Sequence, residues 1–261
     1  MVLALLASAH KALAGPPFVT DDPEPVDLHH WEVYVASVTT TVQDGVTGTL
    51  PHVEVNNGLA PDLQVHLIVP VAFNFPTGSG MSLGPGDTEL GAKYRFVHES
   101  ADMPMIGAFP LVELPTGDAA RGLGSGHLQA FLPVWLRKSI GPWTTYGGGG
   151  YWMNPGAGNR DYWLFGWLLQ KDLDKKVTLG GELYYTTPSA VGTRRQLDFN
   201  LGGQYNFDDG HHFLFSLGRS IYGDTKLSSY LAYQWTFGPR ASDASPPTSA
   251  RAPVPGASVV R

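Results

Sequence analysis

Charged and amide side chains recur at even spacing in three stretches of the sequence, which is the pattern that one face of a β-strand displays. Opposite charges on such faces can pair with each other as packing, or they can set a field across a water-filled space that orients dipolar or anionic solutes. Neither role makes or breaks a covalent bond. We expect these side chains to line an interior lumen: Glu89, Lys93, Arg95, Glu182, Asp198, Asn200 and Gln204.

Other motifs that could carry chemistry lack the context that each requires. Gly80–Gly84 matches the G-x-S-x-G elbow of serine hydrolases, but it precedes Pro85 in a glycine-rich loop where no helix is predicted. Four histidines, at 29, 30, 211 and 212, have no cysteine among them to support a metal site. Gly147–Gly150 fall inside a predicted strand, whereas a phosphate-binding loop follows a strand. We therefore predict no enzyme activity, no cofactor and no metal site.

The elements that position the lumen candidates are predicted to be β-strands. Between Gln196 and Phe207, apolar and polar residues alternate without a break, and turn residues divide the chain from His30 onward into similar segments. Twelve strands are predicted, near residues 30–42, 49–57, 63–74, 87–98, 104–114, 126–138, 142–153, 160–171, 175–187, 193–207, 211–222 and 226–237. An even number is typical of bacterial single-chain membrane barrels.

The last predicted strand, 226–237, favours a membrane barrel over a soluble one. It ends in Tyr233, Trp235 and Phe237, and this aromatic alternation resembles the closing strand of outer-membrane barrels, where it serves as the assembly signal. Predicted turns on the side where this strand ends are short, whereas several loops on the other side are long and glycine-rich, such as 76–86 and 115–126. That asymmetry is known from outer-membrane barrels.

Composition supports the same class. Charged residues make up only 15% of the 261 residues, against about a quarter in soluble domains. The net charge of −6 argues against a nucleic-acid partner, and the absence of cysteine excludes a disulfide framework. Aromatic residues gather near strand ends, where we expect lipid-facing girdles. The girdle and lipid-facing candidates are Trp143, Trp163, Trp167, Tyr205, Phe207, Trp235 and Phe237.

The predicted organisation has four parts. Residues 1–14 resemble an imperfect signal peptide, because a short apolar run precedes Ala12–Ala14. Residues 15–29 form a proline-rich acidic segment that either plugs the lumen or lies free. Residues 30–237 are the barrel, and residues 238–261, rich in Pro, Ala and Ser, are predicted to be a disordered tail.

Several segments together resemble a known family. They read PPFVTDDPEPV (16–26), GDTELGAKYRF (86–96), FPLVELPTGD (109–118), GPWTTYGGGGYWMNPG (141–156) and YQWTFGP (233–239). The chain from Pro16 to Pro239 is similar to the outer-membrane transporters of the family called "MetA-pathway of phenol degradation". The resemblance implies an outer-membrane barrel linked to the catabolism of aromatic compounds. It implies no catalytic residues.

These observations predict an all-β protein, an antiparallel up-and-down transmembrane barrel of about twelve strands in the outer membrane of a Gram-negative bacterium. Its expected role is passive passage of small molecules, hydrophobic or aromatic compounds included, and its expected partners are outer-membrane lipid, the assembly machinery and the solutes. Two alternatives stay open: a structural barrel with a blocked lumen, and a soluble periplasmic ligand-binding barrel. Within the lumen, we expect Glu182 and Asp198 to be cross-strand neighbours that face Lys93 and Arg95 from the opposite wall.

Overall fold

The computed structural model describes residues 17–224 and 226–239. The predicted signal peptide and nearly all of the predicted tail lie outside the described residues. Within the described ranges there are fourteen strand segments and one short 3-10 turn, Ala119–Arg121. The segments are β1 (Trp31–Val42), β2 (Gly45–Ala60), β3 (Leu63–Pro76), β4 (Ser82–Pro85), β5 (Thr88–Val97), β6 (Met105–Ala108), β7 (Leu111–Leu114), β8 (Gln129–Ile140), β9 (Trp143–Met153), β10 (Tyr162–Asp172), β11 (Val177–Thr186), β12 (Gln196–Asn206), β13 (His211–Tyr222) and β14 (Lys226–Phe237). No helix in the described residues has the length and apolar character needed to cross a membrane.

The strands close into one antiparallel barrel. Strand β14 pairs with β1 along its whole length, from Trp31 opposite Phe237 to Val42 opposite Lys226. Strands β6 and β7 lie end to end between β5 and β8 and together act as one barrel strand, while β4 is a short addition to β3. The described chain thus forms a closed barrel of twelve strands, which confirms the predicted fold class.

One predicted strand, 104–114, is broken in the structure. It divides into β6 and β7 at Phe109 and Pro110. Proline has no backbone N–H to donate to a neighbouring strand, so the hydrogen-bond ladder is interrupted at this point. The carbonyl oxygen of Pro110 still accepts a hydrogen bond from the backbone N–H of Ala92, at 3.0 Å. The barrel wall is therefore continuous across the break.

The two faces of the barrel wall have opposite chemistry. Outward-facing apolar residues are exposed, among them Leu201 at 62% and Trp167 at 58%, whereas the inward-facing Gln234 and Asp198 are at most 1% exposed. A barrel that is stable in water would bury its apolar residues and expose its polar ones. This barrel has the reverse arrangement, an apolar outer belt and a polar interior, which is the arrangement of membrane barrels. The predicted girdle residues all lie on the exposed face, between 37% and 58% exposed: Trp143, Trp163, Trp167, Tyr205, Phe207, Trp235 and Phe237.

Connections at the two ends of the barrel differ in length. At one end, which we call the turn end, the strands are joined by short connections such as 61–62, 141–142 and 207–210. At the other end, which we call the loop end, the connections include 77–87, which contains β4, and 115–128, which contains the 3-10 turn. Strand β14 ends at the turn end, as the sequence predicts.

Residues 17–26 lie inside the barrel, and residues 27–29, which are exposed, lie beside Gly58 near the turn end. The backbone carbonyl of Pro17 accepts a hydrogen bond from Ser216 Oγ on β13 at 2.6 Å, and the backbone N–H of Val26 donates to Gln64 Oε1 on β3 at 2.9 Å. Between these two points the segment contacts β11, β5 and β8. A segment that contacts strands on all sides of a closed barrel must occupy its interior.

Candidate functional site

Two basic residues of the barrel wall hold the acidic part of residues 17–29. Lys93, on β5, is 3% exposed, and its ammonium lies 3.0 Å from Asp21 Oδ1 and 3.7 Å from Asp22 Oδ1. Arg137, on β8, is 6% exposed and forms an ion pair with Glu24. Its Nη1 atom also lies 3.9 Å from Asp22 Oδ2. A charge buried without a partner is strongly unfavourable, so each group is stabilised by the other.

Asp22 is the most deeply placed carboxylate of this segment. Its side chain is completely buried between the ammonium of Lys93 and the guanidinium of Arg137. Burial raises the pKa of Asp22 to about 6, although both cations lower it in part. The charge of Asp22, and with it the electrostatic interaction that holds the segment, therefore depends on pH.

Arg95 has a different environment from Lys93, although both lie on β5. Its guanidinium donates two hydrogen bonds to Asp62 Oδ1 in the β2–β3 turn, at 2.8 and 2.6 Å, and lies 4.0 Å from Glu24. These hydrogen bonds lower the pKa of the Asp62 carboxyl. Arg95 is thus anchored at the turn end.

Glu182 binds the backbone of residues 17–29 from the other wall. Its two carboxylate oxygens accept hydrogen bonds from the N–H groups of Val19 and Thr20, each at 2.8 Å, and the Asn200 amide donates a further one. A carboxylate that accepts several hydrogen bonds is stable when buried, as Glu182 is at 3% exposure. The inserted segment is therefore fixed on both walls, by Lys93 and Arg137 on one side and by Glu182 on the other.

The predicted pairing of Glu182 with Asp198 is wrong. The β11–β12 register places Glu182 opposite Asn200 and Tyr184 opposite Asp198, two residues from the expected alignment. Asp198 instead forms an ion pair with Lys226, at 2.8 Å. The expected open space between Lys93 and Glu182 is also absent in the described structure, since residues 19–22 lie between them. Each charge therefore has a local partner.

The two remaining lumen candidates belong to hydrogen-bonded clusters. Glu89 Oε1 accepts a hydrogen bond from His66 Nε2 at 2.8 Å, and His66 Nδ1 lies 2.6 Å from Asn56 Oδ1. Gln204 contacts Asn206 and lies 3.4 Å from His212 Nδ1 near the turn end. His66 and Arg137 are not among the lumen residues predicted from the sequence. Both occupy polar positions in strands where polar and apolar residues alternate, and this alternation could have identified them.

A cavity of about 620 Å³ occupies the loop-end half of the lumen. Its floor is the inserted segment, from Pro17 to Asp21. Apolar and aromatic side chains from β8, β9 and β10 line one wall, and carboxylates, hydroxyls and histidines line much of the remainder. A volume of this size accommodates a small organic molecule.

The structure shows where the serine motif and the histidine pair at 211 and 212 lie. Ser82 of the G-x-S-x-G match lies in β4, opposite Asn74 of β3, and not at a strand-to-helix turn. His212 is buried near Asn206, and His211 stacks on Trp235. No group of three or more His, Asp or Glu residues in the described part of the chain is arranged to hold a metal ion.

Two of the four glycines of β9, Gly147 and Gly149, make room for aromatic rings on the outer face. A Cβ atom at Gly147 would lie 2.4 Å from the ring of Trp167, and one at Gly149 would lie 2.6 Å from the ring of Phe165. On the inner face, a Cβ atom at Gly166 of β10 would lie 2.0 Å from Thr20 Oγ1 of the inserted segment. The glycines thus permit close packing on both sides of this part of the wall.

Comparison with known proteins identifies the architecture. No protein-family model matches the chain, and no curated protein matches it. Among solved structures, the COG4313 outer membrane channel from Pseudomonas putida F1 is similar, with a TM-score of 0.68, 17% identity, and coverage of 83% of this chain and 98% of that one. The KdgM porin in complex with disordered oligogalacturonate has a TM-score of 0.57 at 13% identity, with 79% and 99% covered. The NanC porin has a TM-score of 0.56 at 7% identity, with 78% and 98% covered. The chain therefore has the barrel fold of outer-membrane channels and porins.

Proposed function

We propose that the chain is an outer-membrane channel of a Gram-negative bacterium that carries small molecules passively through its lumen, hydrophobic and aromatic compounds included. The observation that carries the proposal is the closed barrel with an apolar outer belt and a polar, charged interior around a cavity of about 620 Å³. Solutes contact the lumen wall, lipid contacts the belt, and no covalent chemistry is part of this role. Membership of the "MetA-pathway of phenol degradation" family belongs to the same proposal, and it is supported by the resemblance of the segments described above.

Residues 17–29 are proposed to act as a displaceable plug. The segment forms no strand within the barrel wall, apart from a single bridge between Leu28 and Gly58, and its polar contacts are ion pairs and individual hydrogen bonds. Contacts of this kind can be exchanged for contacts with water at low net cost. The plug can therefore leave the lumen while the barrel stays folded.

Single-channel conductance in planar bilayers tests this proposal. Refolded full-length protein is compared with a variant that lacks residues 16–27, and folding of both is checked by heat-modifiable gel mobility in detergent. We expect the deletion to raise the conductance, because it removes the floor of the cavity. If neither protein conducts, the alternative of a structural barrel with a blocked lumen replaces the channel. A protein that is soluble without detergent would favour the periplasmic alternative.

The aromatic end of β14 is proposed to be the signal read by the outer-membrane assembly machinery. Trp235 and Phe237 are 46% and 38% exposed, and they end the strand that closes the barrel on β1. Changing both residues to alanine should reduce the assembled fraction in cells. The matched control changes Tyr205 and Phe207 to alanine, which removes two exposed aromatic residues at the same end of the barrel, one in β12 and one directly after it. Equal losses in the two variants would contradict a specific signal.

A further inference from the structure

One part of the cavity wall carries more negative charge than its partners neutralise. Glu89 on β5 and Glu113 on β7 are directly opposite each other on neighbouring strands, and both line the cavity. Glu89 is paired with His66, whereas the Glu113 carboxylate has neither a hydrogen bond nor an ion pair within the described residues. Like charges on directly opposed positions destabilise a sheet unless a cation or a proton joins them.

The positive groups of the cavity are already engaged. Lys226 is 2.8 Å from Asp198 and lies over the ring of Tyr184. His66 is shared between Glu89 and Glu54, at 2.8 and 3.6 Å. His52 also lines the cavity, and its Nδ1 lies 3.0 Å from Thr49 Oγ1. No lysine or arginine of the described cavity lining is therefore available to neutralise Glu113.

An aromatic ladder lies beside these carboxylates. Phe131 of β8 stacks on Trp152 of β9 with ring centroids 4.8 Å apart, and Trp152 stacks on Tyr162 of β10 at 6.0 Å. The register connects the two features: Glu113 is opposite Gln129, and Leu111, two residues away, is opposite Phe131. Glu113 and Phe131 are therefore diagonal neighbours, and such neighbours lie roughly 7–8 Å apart.

Two buried polar groups of residues that line the cavity, on different walls, also lack partners. Trp135 is 1% exposed, and its indole N–H has no hydrogen-bond acceptor in the described part of the protein. The hydroxyl group of Tyr230 is likewise without a partner there. Both residues line the cavity, and buried donors are normally satisfied. Neither atom is accessible from the cavity, so the rings of these residues, and not their donor groups, contribute to its surface.

We propose that this cavity binds an organic cation with an aromatic or other planar body. Its ammonium group lies between Glu89 and Glu113, and its ring packs on Phe131 and Trp152, the two members of the ladder that line the cavity. Carboxylates and aromatic faces both attract a cation, whereas an anion is repelled by the same wall. The inference deepens the proposed function, on which it rests, by assigning a class of solute to the loop-end half of the lumen.

The test measures binding of four probes to the refolded full-length protein in detergent by calorimetry. Benzyltrimethylammonium carries both the charge and the ring, tetramethylammonium only the charge, benzyl alcohol only the ring, and benzenesulfonate a ring with the opposite charge. We expect benzyltrimethylammonium to bind about tenfold more tightly than each of the others. Equal affinities for the four probes, or tighter binding of benzenesulfonate, would overturn the proposal from measurements on the unmodified protein alone.

Two variants locate the site. Glu113→Gln removes a like-charge repulsion, so the barrel should fold, and it should weaken binding of benzyltrimethylammonium about fivefold or more. Glu99→Gln is the matched control, since Glu99 lies at the turn end, where it contacts Ser139 and Lys138, and it should bind the probe as the unmodified protein does. Equal affinity in all three proteins would place the probe outside this cavity and overturn the assignment.

Conductance separates this inference from the proposed function. If the variant without residues 16–27 conducts while the four probes bind equally, the channel proposal stands and the cation site is wrong. If no variant conducts but benzyltrimethylammonium binds selectively, the cation site stands as a ligand site in a closed barrel.

Discussion

At the scale of single residues, buried charges of the barrel wall determine where residues 17–29 lie. Lys93 and Arg137 are at most 6% exposed, and both have partners in that segment. Without the segment, both cations would face the lumen and need water or another anion. The same cations that hold the segment would therefore become accessible to solutes when it leaves.

Removal of the charge of Lys93 should release the segment. Lys93→Gln leaves the carboxylates of Asp21 and Asp22 with weaker partners, and breaking a buried ion pair from one side costs about 3–5 kcal/mol. We expect a higher single-channel conductance than in the unmodified protein. Lys175→Gln removes the same charge from an exposed turn and should leave conductance unchanged. If conductance is the same in both variants, Lys93 does not hold the segment.

Docking of the segment should also depend on pH through Asp22. Its pKa is raised to about 6 in the docked state from an ordinary value of 3.8. A group with a raised pKa favours the docked state fully at low pH, and this contribution is lost as the pH rises through about 6. Conductance should therefore be lower at pH 4.5 than at pH 7. Asp22→Asn should flatten this change, and an unchanged pH profile in that variant would assign the effect to another group.

At the scale of strands, the apolar outer face is the feature that a membrane requires. Leu201 lies in the middle of β12 and is 62% exposed, while Leu59 lies at the turn-end terminus of β2 and is 55% exposed. An arginine near the bilayer midplane costs about 2–4 kcal/mol, and near the interface about 0–1 kcal/mol.

We accordingly expect Leu201→Arg to reduce the folded yield in lipid bilayers far more than Leu59→Arg, as measured by heat-modifiable mobility. Both changes add the same side chain to an exposed leucine position, so a difference reports depth in the membrane. Equal yields would contradict the assignment of this face to lipid.

The strands were predictable because their signal is local. Alternation from Gln196 onward gives the two faces, and turn residues give the boundaries to within a few residues for most strands. The break at Phe109 and Pro110 could have been inferred from the missing N–H of proline. The β11–β12 register could not, because the connection 187–195 contains no turn motif that fixes which residues pair.

At the scale of the whole molecule, the partners of residues 17–29 could not be derived from sequence. The hydrogen bond from Ser216 to Pro17 joins residues 199 positions apart, and no local pattern specifies such a contact. The acidity of the segment and the inward-facing charges of the wall can be predicted from the sequence. The pairing of each cation with a particular carboxylate cannot. The same limit applies to the cavity, since Glu113, Phe131 and Trp152 become neighbours only when three separate strands pair.

The barrel, the inserted segment and the cavity together describe a lumen that is partly occupied by residues 17–26 of the same chain. The wall is closed by strand pairing throughout, whereas the segment is attached by side chains. Opening therefore does not require any strand to separate. Movement of the segment alone is expected to control the passage of solutes.

A reversible cross-link between the segment and the wall tests this account most directly. The chain contains no cysteine, and a Cβ atom at Gly166 would lie 3.1 Å from Thr20 Cβ, close to the roughly 3.5–4.5 Å of a disulfide. The measurement is efflux of a small solute from liposomes that contain the Thr20→Cys, Gly166→Cys double variant, oxidised and then reduced, with Thr20→Cys alone as the control. We predict slow efflux when the variant is oxidised and faster efflux after reduction, with no redox effect in the control. Equal efflux from the oxidised and reduced double variant would contradict passage controlled by this segment.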